Sequence, residues 1–102
     1  MNTEVNYTPT VRQQATTLAW QIVKAVKLPF KTAQAQAWAT IKLLAKMQNG
    51  PTEFTYIKDD RTQRLAIGES PTPDSSKPFV IRYRDLEADG IRSFRADRLV
   101  IA

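Results

Sequence analysis

The side chains able to do chemistry in this chain are mostly cations. Fifteen Lys and Arg residues stand against ten Asp and Glu, a net charge of +5, and there is neither Cys nor His. Lys24, Lys27 and Lys31 fall close to one face of a first helical stretch and its exit, and Lys42 and Lys46 lie one turn apart on a second. With almost no acid nearby, such a stripe could follow a phosphate backbone, and Trp20, one turn before Lys24, could offer a stacking face. The same lysines could form a solvated face, with Trp20 and Trp38 as core anchors, although +5 is more than solubility asks of a small domain. A second set, Arg82, Arg84, Arg92, Arg95 and Arg98, lies in strand-like sequence. The guanidinium fork can clamp a phosphate with two parallel hydrogen bonds. Asp85, Glu87, Asp89 and Asp97 are within a few residues, however, and ion pairing would use up the same forks, at Arg95 and Arg98 above all.

Other chemistries are closed. Without Cys or His there is no disulfide, thiolate zinc site, imidazole base or Ser-His-Asp machinery. Asp59 and Asp60 are adjacent, so on extended backbone their carboxylates diverge, and no base is evident to activate a Ser, Thr or Lys nucleophile. Asp85-x-Glu87-x-Asp89-Gly90 opens like a calcium loop, but the twelfth position, which needs a bidentate Glu, is Ala96, and the flanks are strand-like. A hairpin turn is the better reading there. The sequence thus points to a non-enzymatic protein with no cofactor and no metal.

The elements that must hold these cations divide at Gly50-Pro51. Residues 1–50 carry six basic residues and one acid, Glu4, whereas residues 51–102 carry nine of each sign. All the excess positive charge therefore belongs to the first half. There Val11, Ala15, Leu18, Ile22 and Val26 recur at helical spacing, with Thr8-Pro9 as N-cap and first position, predicting a helix over 9–27. Leu28-Pro29 interrupts it. A second helix is expected over 32–48, with Ala37, Trp38, Ile41, Leu44 and Ala45 on one side, ended by Asn49-Gly50-Pro51.

From Thr52 the period shortens to two, through Phe54-Tyr56, Leu65-Ile67 and Phe79-Ile81-Tyr83, with further runs at 91–95 and 98–101. Arg82 and Arg84 should then project outward. Asp59-Asp60-Arg61 and Asp89-Gly90 read as tight turns, the second because glycine accepts positive φ. Glu69 to Lys77, with two prolines and no apolar anchor, reads as a mobile surface loop. The expectation is a single α+β domain over 1–102: a helical pair (9–48) followed by a small five-stranded antiparallel barrel (51–102), closed to remove strand edges. No apolar run approaches the roughly 18 residues of a membrane span, and Met1-Asn2-Thr3-Glu4 does not open a signal peptide, so a cytoplasmic protein is expected.

The ending Gly90-Ile91-Arg92-Ser93-Phe94-Arg95-Ala96-Asp97-Arg98-Leu99 resembles the Arg-x-Phe-Arg-x-Asp-Arg-(Ile/Leu) close of WYL domains, Sm-like SH3 β-barrels of bacterial regulators. It is similar still more to a short WYL-related family of SH3 β-barrel fold-containing proteins of phages and mobile elements, function unknown. Ala19-Trp20, Phe30, Ala37-Trp38, Lys42, Met47, Gly50, Phe54-x-Tyr56 and Arg64-x-Ala66-x-Gly68 carry that likeness, which runs from about Leu18 to the end. Phe79-Val80-Ile81 stands where a WYL domain has Trp-Tyr-Leu, so the namesake aromatic contact does not carry over. The resemblance implies a barrel whose larger relatives bind nucleic acid or nucleotides through basic residues, and it puts Arg92, Arg95 and Arg98 at that ending.

Three functions follow as expectations. The first is a nucleic-acid-binding accessory protein, for DNA or RNA, using the helical lysines and barrel arginines. The second is a protein-interaction module, with Tyr7, Tyr56 and Tyr83 lining a groove for a host protein. The third is a sensor of a small anionic ligand such as a nucleotide.

Overall fold

A computed structural model describes residues 9–77 and 79–101, the side chains of residues 9 and 10 excepted. Thr8, expected to cap the first helix, and Tyr7, expected in a groove, lie outside the described residues. Two helices come first, α1 (Pro9–Val26) and α2 (Phe30–Gln48). Lys27 closes α1 in the left-handed region at φ 60°, its N–H donating to the Val23 carbonyl at 2.9 Å. It thus occupies the C-terminal position that glycine usually takes. Leu28 and Pro29 then turn the chain, and α2 begins two residues earlier than the sequence suggests, because Pro29 accepts the first backbone bond from Ala33. Beyond Asn49, Gly50 takes φ 147° and breaks the helix before Pro51.

The face that α2 buries is not the one expected. Ala33, Ala37, Thr40, Leu43 and Met47 are buried, while Trp38, Ile41 and Leu44 are half-covered and Ala45 is exposed. The reason is that α2 packs on two neighbours. Its N-terminal half meets Leu18, Ala19 and Ile22 of α1, and its C-terminal half drops Leu43 and Met47 onto the sheet.

The sheet contains β1 (Thr52–Ile57), β2 (Gln63–Pro73), β3 (Val80–Asp85) and β4 (Gly90–Arg95), antiparallel and in sequence order. Its inner face carries Phe54, Tyr56, Ala66, Ile81, Tyr83 and Phe94, whose aromatic rings meet at centroid distances of 5.0–6.2 Å. On β2 the inward residues are Ala66 and Gly68, so Leu65 is 61% exposed on the far side. Gly68 is inward for a steric reason: a Cβ there would come within 2.6 Å of the Tyr83 ring and 3.2 Å of Phe54.

Three expectations are corrected. The supposed loop over 69–77 is largely strand. β2 runs to Pro73 through an irregularity between Glu69 and Thr72, where Ser70 takes φ 52°, and Thr72 and Pro73 pair with Arg82 and Ile81. Beyond Gly68, β2 has a partner on one side only, and such an edge tolerates proline. The turn into β4 is made by Asp89 at φ 51°, with Gly90 already in the strand. Finally, among the described residues the sheet has four strands and stays open. After β4, Ala96 donates its N–H to the Phe79 carbonyl and is buried with the helices, so the chain coils into a 3-10 turn, Ala96–Arg98. What was expected as a fifth strand shrinks to one bridge, Leu99 opposite Tyr56, with Val100 N–H donating to the Thr55 carbonyl at 2.9 Å. Gln36 of α2 ties this segment down by donating to the Ala96 and Leu99 carbonyls, each at 2.9 Å.

Candidate nucleic-acid interface

Because the sheet does not close, a cleft of about 790 Å³ lies between the end of β1 with its hairpin turn and the edge strand β4. Five cations border it, Lys58, Lys77, Arg92, Arg95 and Arg98, together with two carboxylates, Asp59 and Asp60. The fold thereby gathers three of the five arginines singled out in the sequence, and adds two lysines that sequence reasoning missed. No local pattern could have found them. Lys58 and Lys77 are nineteen positions apart and meet only because the β1–β2 turn and the start of β3 border the same gap.

The three arginines are held differently. Arg98 Nη1 donates to Asp59 Oδ1 at 2.7 Å, but Asp59 is fully exposed, and surface pairs of this kind are worth about 0–1 kcal/mol. Arg95 donates from Nε and Nη2 to the two Asp97 oxygens at 3.0 and 3.2 Å, and its guanidinium lies 5.5 Å from the Phe79 ring centroid, which fixes its plane. Arg92 Nε is 3.6 Å from Asp85 Oδ2.

Asp85 is the electrostatic centre of this end of the sheet. It is fully buried, and its Oδ2 accepts from Arg64 Nη2 at 2.6 Å while Oδ1 accepts from the Glu87 and Ala88 N–H groups at 2.9 Å each. Burial pushes its carboxyl up, but the Ala88 N–H, the Arg64 guanidinium and the Glu87 N–H together hold it below the usual carboxylate range. The Asp85 hydrogen bond in turn raises Arg64 further above its already high value. Beside the pair, the Tyr83 hydroxyl shares a 2.9 Å hydrogen bond with Tyr56, and burial, followed by that bond, pushes the phenol up. Asp85 is thus bonded to Arg64 and to its own turn, in the hairpin that joins β3 to β4.

The remaining two arginines lie elsewhere. Arg82 and Arg84 are exposed on the outer side of β3, as alternation requires, and do not border the cleft. Arg82 is 3.6 Å from Asp74, and Arg84 reaches Glu69 at 3.0 Å and Asp89 at 3.3 Å. Asp74 is itself held below the usual range by hydrogen bonds from Ser76 and from the Lys77 N–H.

The helical lysines are all exposed, and none forms an ion pair among the described residues. They do not make one stripe. Lys24, Lys27 and Lys31 surround the interhelical junction, whereas Lys42 and Lys46 lie 11 and 15 residues further along α2 than Lys31, about 16 and 22 Å at helical rise. These two border a separate groove between α1, α2 and the outer part of β2, with Ile41, Leu44 and Pro71 on its walls. Phe79 links the junction to the cleft: it packs with the cluster that includes Val26, Leu28 and Phe30, and it also lines the cleft beneath Arg95. The two tryptophans differ. Trp38 is half-buried, while Trp20 is 50% exposed and meets Phe30 at a tilt of 35° with ring centroids 4.5 Å apart.

A family model described as WYL_2, Sm-like SH3 β-barrel fold, matches residues 40–100, more than half of the chain. The chain belongs to the WYL_2 family. Comparison with curated proteins and with solved structures gives no match. The WYL_2 segment starts in the middle of α2 and takes in all four strands, the 3-10 turn and the Leu99 bridge. It therefore holds the five arginines together with Lys42 and Lys46, whereas Lys24, Lys27, Lys31 and Trp20 precede it. Among the described residues no helix is long and apolar enough to cross a membrane.

Proposed function

We propose that this WYL_2 protein is a small, non-enzymatic nucleic-acid-binding accessory protein of phage or mobile-element type. The observation that carries the reading is the division of charge. Arg64, Arg82, Arg84, Arg92, Arg95 and Arg98 each have a carboxylate within ion-pair distance, but the helical lysines and the cleft lysines, Lys58 and Lys77, have none among the described residues. Such cations act on a polyanion by releasing its counterions. The junction lysines and the cleft, joined through Phe79, form the contact face. Lys24, Lys27, Lys31, Lys58 and Lys77 neutralise phosphates; Arg98 clamps them by exchanging the exposed Asp59 for phosphate oxygens, while Arg92 and Arg95 keep their carboxylates and offer their remaining N–H groups.

Five neutralised phosphates on duplex DNA give a slope of log K against log salt near about −4.5. Replacing Lys24, Lys27 and Lys31 by Glu should reduce its magnitude by at least about 2.7. The same replacement at Lys42 and Lys46, at the far end of α2, should change it by less than about 1. A salt-independent affinity, or no binding to any DNA or RNA at low salt, overturns the reading. The apolar groove beside Trp38, Ile41 and Leu44 favours a second function, docking of a host protein. Pull-down from lysate before and after nuclease treatment separates the two, since only a direct protein partner survives the nuclease.

A further inference from the structure

Trp20 is not part of the buried core. On α1 the buried residues are Ala15, Leu18, Ala19 and Ile22, and Trp20 projects away from them with half its surface open to solvent. Leaving a large apolar ring in water forfeits the burial that usually fixes tryptophan. Yet the ring is not loose. Phe30, the first residue of α2, backs it at 4.5 Å with 35° between the ring planes. Two helices thus hold an indole braced by Phe30 and half open to solvent. Lys24 is one helical turn away on the same side of α1, and Lys31 follows Phe30 directly, both exposed. A half-exposed aromatic ring near exposed lysines on both helices suits a nucleobase with its flanking phosphates.

We propose that Trp20, braced by Phe30, is a base-stacking platform, and that it makes this protein select single-stranded over double-stranded nucleic acid. The inference rests on the nucleic-acid reading above and names its substrate class. In a duplex both faces of every internal base are already stacked on neighbours, so the indole can add nothing there. In a single strand an unstacked base can lie on Trp20 while Lys24 and Lys31 take the adjacent phosphates. Stacking on an aromatic side chain is sequence-tolerant, so little base preference accompanies the strand preference.

The test uses the full chain with a 20-nucleotide oligo(dT), oligo(rU), a duplex of equal length, and an abasic oligonucleotide that keeps the phosphates but has no bases. Trp20→Ala should weaken binding to oligo(dT) and oligo(rU) by between about 5-fold and about 150-fold, and leave the duplex and the abasic strand within about 2-fold. Binding of oligo(dT) should quench intrinsic fluorescence in the wild type, and Trp20→Phe should remove most of that quench while retaining much of the affinity, since Trp38 remains as the internal reference. Circular dichroism and the melting midpoint of both variants show whether the fold is intact. Equal weakening on all four probes, or no weakening on any, overturns the platform, and in the latter case Trp20 is left as a protein contact. Absence of wild-type binding to every probe at low salt overturns the nucleic-acid reading as a whole.

Discussion

Replacing Asp85 probes the most concentrated piece of polar chemistry in the molecule. Its two oxygens accept three short hydrogen bonds while the side chain is fully buried. The bonds from the Glu87 and Ala88 N–H groups are worth about 1 kcal/mol each, and the charged bond from Arg64 about 1.5–3 kcal/mol. Asp85→Ala forfeits all three and leaves Arg64 without its carboxylate, for a loss of about 3–5 kcal/mol. For a domain of this length, with a total stability of roughly 5–15 kcal/mol, that is a large fraction. Asp85→Asn keeps an oxygen for the turn but presents an NH₂ group or an uncharged oxygen to the guanidinium, so it should recover only the two backbone bonds. Equilibrium denaturation measures both as shifts in midpoint at unchanged slope. The pH dependence supplies a second readout. The Asp85 carboxyl is depressed in the folded state, so its contribution is fully present above the unfolded value, near about pH 4, and is lost as pH falls through the folded value. Asp60 and Asp74 are also held low, mainly by Thr62 and Ser76. It is therefore the difference between wild type and Asp85→Asn that isolates Asp85: the variant should lose less stability on acidification. A cost below about 1 kcal/mol for Asp85→Ala, or parallel acid curves, refutes the reasoning.

Two further substitutions test the backbone and the packing. Gly68→Ala drives a Cβ to 2.6 Å from the Tyr83 ring and should cost about 1–3 kcal/mol in a denaturant titration, because two buried aromatics must move. Lys27→Gly relieves a left-handed lysine at the end of α1 and should raise stability by about 0.5–1 kcal/mol. The same variant should lower the magnitude of the salt slope of nucleic-acid binding by about 0.9, so stability and binding move in opposite directions.

Much of the architecture is legible in the linear pattern. Proline and glycine punctuation at Pro9, Leu28-Pro29 and Asn49-Gly50-Pro51 brackets the helices to within about two residues, since these residues act on backbone their own neighbours determine. Alternation identifies β1 and β3 and the outward direction of Arg82 and Arg84, and a short run marks β4. It misleads on β2, where apolar Leu65 is outside and Arg64 follows the inward phase. Periodicity reports which residues share a face, whereas the choice of face depends on what the neighbouring strand leaves room for. Tyr83 and Phe54 fill the space over Gly68, and Asp85 offers Arg64 a partner. The prolines of β2 suggest a loop because proline lacks a donor, but only the sheet order shows that this stretch has an open edge.

The candidate interface divides in the same way. By itself the sequence determines the charge balance, its concentration in the helical half, the absence of His and Cys chemistry, and the WYL-like ending. These are properties of composition and short order, which no folding can alter. Tertiary structure decides which cations act together. It separates Lys42 and Lys46 from the junction lysines because they lie further along one helix. It moves Arg82 and Arg84 to an outer face with carboxylates of their own, and brings Lys58 and Lys77 to Arg92, Arg95 and Arg98 across an unclosed seam. It also exposes Trp20, since the orientation of α1 is fixed by its alanine-rich contact with α2 and not by its largest side chain. Electrostatic and stacking contacts depend on distances in space, and spacing along the chain constrains those only within a single helix or strand.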